Sequence, residues 1–117
     1  MTGREPILDL AALLDSVGGD RELLDELAGT FTAEVPGWIS SLQAAVSSGD
    51  SRTLFRVAHG VTGAVGYFRA NGVRQAAADL EAMGREGKLE KASAAVDLLQ
   101  GKLLELSTFL SSAPWKQ

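Results

Sequence analysis

The chain has 117 residues, with 11 basic and 15 acidic side chains and no cysteine. That length suits one domain with one core. The net charge of −4 argues against general binding to DNA or RNA, and the lack of thiols excludes a disulfide framework, a thiolate metal site and a cysteine nucleophile.

No apolar run is long enough to cross a bilayer, and the polar Met1–Pro6 stretch is unlike a signal peptide. A cytoplasmic protein is expected, with residues 1–6 as an N-terminal extension. Hydrophobic periodicity is helical nearly throughout, so the fold class is all-α. A short first helix is expected from about Leu8 to Val17, with Leu10, Leu13, Leu14 and Val17 on one side. Asp20 is placed to cap a long second helix whose apolar stripe runs Leu24, Leu27, Phe31, Val35, Ile39, Leu42 and Val46. Pro36 lies inside that stripe and predicts a kink, with Trp38 packing beside it. Asp50 caps a third helix over about Ser51–Ala70. A fourth is expected from Gly72 to about Met83, after a break at Asn71-Gly72, and a fifth from about Lys88 to Leu110. Residues 111–117, with Pro114 and Trp115, show no helical pattern and are expected to be a flexible tail. Short loops between long helices favour antiparallel neighbours. The economical arrangement over residues 7–110 is an up-down four-helix bundle with a short additional N-terminal helix.

The third helix carries the only histidine, His59. At about 100° per residue, Leu54, Val57, Ala58, Val61, Ala64, Val65 and Phe68 share one sector, and His59 falls opposite it. The imidazole is therefore expected to face water. Gly60, Gly63 and Gly66 follow within two turns. Each costs about 1 kcal/mol relative to alanine in a helix interior, which is tolerable where a partner must approach the backbone closely. From Ser51 to Ala78 there is no Asp or Glu but there are four arginines, Arg52, Arg56, Arg69 and Arg74. An anion or an acidic partner would be drawn to this segment, and no carboxylate is expected beside the histidine.

The segment Leu54-Phe55-Arg56-Val57-Ala58-His59-Gly60-Val61-Thr62-Gly63 resembles the signature of histidine-containing phosphotransfer (HPt) domains. In that signature Ala-His is followed by two residues and then Lys-Gly. The resemblance extends from about Ile7 to Leu110 through Gly19-Asp20, Phe31 with Pro36, Gly49-Asp50 and Leu80-Glu81. It implies a phosphoryl carrier rather than a turnover enzyme. His59 would accept a phosphoryl group from one receiver-domain aspartate and donate it to another, with Thr62 and Gly63 adjoining the group. The implied partners are the receiver domain of a response regulator or a hybrid histidine kinase. The chain would need no cofactor of its own, because Mg2+ is expected on the receiver, and it would act as a monomer away from nucleic acid and membrane. Phe55, Arg56, Gly66, Tyr67 and Arg52 are the expected partner-binding residues. Phe55 reads equally as an exposed anchor or as a packing residue against the first or second helix.

Two positions depart from the family pattern. Thr62 stands where a lysine is usual, and Arg69 where a glycine is usual. Threonine brings no charge. Arg56 lies on the right side but leans away, and Arg69 is roughly 15 Å further along at 1.5 Å per residue. A less efficient or shorter-lived phosphohistidine is expected, and a docking module without efficient transfer is the alternative. A carboxylate-bridged metal enzyme is disfavoured, since position 56, three before His59, is Arg where Glu-x-x-His is needed. A serine hydrolase lacks its nucleophile-elbow motif.

Overall fold

The computed structural model describes residues 7–116. All regular structure among them is helical: α1 (Leu10–Ser16), α2 (Arg21–Ser48), α3 (Ser51–Tyr67), α4 (Asn71–Glu86) and α5 (Ala92–Ser111), then a single 3₁₀ turn, Pro114–Lys116. The expected extension at residues 1–6 lies outside the described residues.

Three aspartates start helices. Asp9, Asp20 and Asp50 each accept a hydrogen bond, all at 3.0 Å, from the amide three residues on. Each thereby satisfies one of the unpaired donors of a first turn. Asp50 also accepts from the Thr53 hydroxyl at 2.7 Å. Helix α2 continues through Pro36 for 28 residues. Pro36 is exposed, so its missing donor and ring face water. Trp38 packs edge-on against Phe31, with ring centroids 5.4 Å apart.

The third helix ends three residues earlier than its pattern suggested. The break falls at Arg69, whose φ is 62°, and Asn71 and Gly72 already belong to α4. A left-handed non-glycine residue costs about 1–2 kcal/mol, which explains why glycine would be favoured at this position. At its other end α4 runs past Met83, because Gly84 is a packing residue and not a stop.

Helix α2 packs against α3 and α5, and α4 packs against the same two helices. The buried side chains meet in one cluster that includes Leu24, Phe31, Leu42, Leu54, Val61, Leu80, Leu99 and Leu106. The segment after α5 corrects the expectation of a loose tail. Its 3₁₀ turn packs on α1 and α2, and Trp115 is only 1% exposed. The indole Nε1 donates to Asp25 at 2.8 Å, Lys116 pairs with the same carboxylate at 3.0 Å, and Arg21 Nε donates to the Trp115 carbonyl. The missed signal was the indole itself. One aromatic with no periodic neighbours leaves no trace in a helical pattern, yet it can bury a large surface.

Candidate functional site on helices α3 and α4

Helices α3 and α4 run antiparallel, with Phe55 beside Gly84, His59 beside Glu81 and Gly66 beside Arg74. Their separation is set at Gly84. A Cβ there would lie 2.5 Å from the Phe55 amide nitrogen and 2.8 Å from its Cα. Only glycine lets the two backbones approach this closely.

His59 faces solvent as its helical position requires, with 69% of its side chain exposed. Its ring stacks on Phe55 one turn earlier, with centroids 5.8 Å apart and planes 20° apart. The Arg85 guanidinium lies over the Phe55 ring, 5.5 Å from its centroid. Phe55 is thus half-buried, with its backbone and ring against the fourth helix.

The expectation of no carboxylate near His59 is overturned. Glu81 reaches across from α4, and its Oε2 lies 3.1 Å from His59 Nδ1. The same oxygen accepts from Arg85 Nη2 at 3.0 Å. The glutamate is largely covered, with 13% of its side chain exposed. The hydrogen bond with His59 is the main reason its carboxyl lies below the ordinary glutamate range. Partial burial opposes that shift, and the Arg85 charge adds to it. An ionised carboxylate only accepts hydrogen bonds, so Nδ1 must carry the proton. The lone pair is then on Nε2, the nitrogen directed away from α4. The acid-free window ending at Ala78 concealed this contact because Glu81 lies 22 residues from His59, and only the docking of two helices brings them together.

Thr62 lines one groove with His59, Gly63, Gly66, Arg74 and Glu81. Its hydroxyl donates to the Ala58 carbonyl at 2.8 Å. No Cβ contact within 4 Å explains Gly60 or Gly63. At Gly66 a Cβ would meet Arg74 Cδ at 3.3 Å and Nε at 3.4 Å. The other expected partner-binding residues surround this centre without touching His59. Arg56 lies beside Gly60 and Trp38 on the α2 side. Tyr67, 46% exposed, borders an apolar groove with Gly63 and Trp38. Arg52 is exposed two turns before the histidine. Among the described residues no group of three or more His, Cys, Asp or Glu side chains is placed to hold a metal ion. Among the described residues no helix is long and apolar enough to cross a membrane.

Residues 26–109 match the family model of the Hpt domain. The chain belongs to the Hpt domain family. That membership places it among the phosphotransfer intermediates of two-component signalling. The match runs from within α2 to two residues short of the end of α5, leaving α1 and the 3₁₀ turn outside it. The chain is also similar to the crystal structure of histidine-containing phosphotransfer protein B (HptB) from Pseudomonas aeruginosa PAO1. The two are 23% identical, the alignment covers 93% of this chain and 95% of that one, and the TM-score is 0.85. At that identity the likeness establishes the Hpt fold. No curated protein matches the chain.

Proposed function

We propose that this Hpt domain carries a phosphoryl group on Nε2 of His59, accepting it from one receiver-domain aspartate and passing it to another. The observation that carries the reading is the Glu81–His59 contact beneath an exposed ring. With Nδ1 protonated toward Glu81, the Nε2 lone pair attacks the phosphorus of an aspartyl phosphate. A P–N bond forms as the P–O bond breaks, and the electron pair leaves on the aspartate carboxylate. The Nδ1 proton stays in place, and the ring becomes cationic opposite the carboxylate of Glu81. Transfer of this kind depends mainly on alignment and charge stabilisation. The receiver would bring the acidic pocket and the Mg2+. This chain would supply the oriented nucleophile, acting as a monomer in the cytoplasm. Short connections between the four long helices support the up-down order of the bundle, which holds that nucleophile on a rigid surface.

A second reading, a docking module without efficient transfer, is favoured by Thr62. Its hydroxyl hydrogen-bonds the Ala58 carbonyl, and unlike a lysine it brings no positive charge toward a phosphoryl group. Incubation with phosphorylated receiver domains separates the two. On the carrier reading the wild type is labelled, His59→Gln is not, and Thr62→Lys is labelled faster. Binding with no label on either protein would establish the docking reading, and equal labelling of both would remove His59 from the mechanism.

A further inference from the structure

Arg74 is an exposed cation in the histidine groove with no role so far. We propose that it supplies the positive charge Thr62 lacks, reaching along the groove to the phosphoryl group on His59. This proposal rests on the carrier reading above.

The other arginines near His59 are otherwise committed or badly placed. Arg85 is paired with Glu81 and lies over Phe55, so its charge is largely matched by that carboxylate. Arg56 lies on the opposite flank of α3, in the groove with Trp38 and Gly60. Arg69 lies past the end of α3 at a left-handed turn. Arg74 lines the groove that holds His59 and Thr62, and among the described residues no carboxylate lies within ion-pair distance of it.

The glycines of α3 fit this role. Arg74 lays its Cδ and Nε across the bare backbone of Gly66, where a Cβ would stand 3.3 Å from Cδ and 3.4 Å from Nε. One turn nearer the histidine, a Cβ at Gly63 would have nothing within 4 Å. The two positions line the groove between Arg74 and the imidazole, and Gly66 lies two helical turns, about 10 Å, beyond His59 along the axis. An arginine drawn by a new dianion can slide along such a groove. Its planar fork suits phosphoryl oxygens. Side chains at 63 and 66 would block the path, so the cost of helix-interior glycines becomes intelligible.

The test measures phosphoryl transfer from an acetyl-phosphate-loaded receiver domain, and the lifetime of the phosphohistidine, in wild type, Arg74→Gln, Thr62→Lys and the double variant. Arg74→Gln should slow transfer or shorten the lifetime by about tenfold, equivalent to roughly 1.4 kcal/mol. Thr62→Lys should restore the Arg74→Gln protein, because a lysine at 62 makes the distant cation redundant. Gly66→Leu should mimic Arg74→Gln while Arg74 itself is intact. A labelled wild type whose kinetics are unchanged by Arg74→Gln overturns this proposal and leaves the carrier reading standing. Absence of label in the wild type overturns both.

Discussion

Glu81 makes the two ring nitrogens of His59 unequal. Its carboxylate holds the proton on Nδ1, which leaves the lone pair on the nitrogen aimed at solvent and, on the proposed carrier function, would provide a counter-charge to a phosphorylated ring. Glu81→Gln can keep a hydrogen bond through its carbonyl oxygen but removes the charge. We expect the Nδ1–H tautomer to persist in nitrogen NMR while the phosphohistidine is hydrolysed faster. Glu81→Ala should lose both features. The contact also links stability to pH. The Glu81 carboxyl is depressed in the folded protein, so the folded state binds protons less readily than the unfolded one. The advantage of wild type over Glu81→Gln in urea unfolding should be fully present above about pH 4.3, the unperturbed glutamate value. It should be lost as pH falls further, through the lowered folded pKa. A difference that stayed flat with pH would contradict this account.

At the scale of elements, glycine has opposite meanings on facing helices. Gly60 on α3 leaves open space where a Cβ would stand, whereas Gly84 on α4 faces the Phe55 backbone at 2.5 Å. Gly60→Ala should therefore stabilise the protein by about 1 kcal/mol through helix propensity alone. Gly84→Ala should destabilise it by about 1–3 kcal/mol, because a Cβ pressed on backbone forces the helices apart. The shift should also lengthen the Glu81–His59 contact. Thermal unfolding of the two variants checks the signs, and two changes of the same sign would show that Gly84 does not set the spacing.

For the whole molecule, the segments outside the family match close one end of the fold. Trp115 is buried beside α1 and α2, and its indole and Lys116 share Asp25. Those two bonds, Lys116 foremost, hold the Asp25 carboxyl below its ordinary range. Trp115→Ala should cost about 3–5 kcal/mol, as expected for a large aromatic removed from a core. Trp115→Phe should cost less, since it loses the Nε1 bond but keeps most of the packing. Neither should abolish labelling of His59 while the protein remains folded, because the 3₁₀ turn packs on α1 and α2 rather than in the histidine groove. Urea denaturation with a parallel labelling assay measures both effects.

What the sequence by itself determined was local and periodic. The repeat of apolar residues marked the helices. Asp20 and Asp50 marked their starts, and the 100° advance turned His59 to solvent while Ala58 and Val61 went inward. Those properties depend on residues within a few turns of one another. The tertiary structure alone decided the rest: Glu81 on the Nδ1 side of the ring, Gly84 against Phe55, Arg74 across Gly66 and Trp115 on Asp25. Each of these joins residues far apart in the chain, through a contact whose partner is chosen by how helices dock. A single-helix periodicity carries no record of that choice.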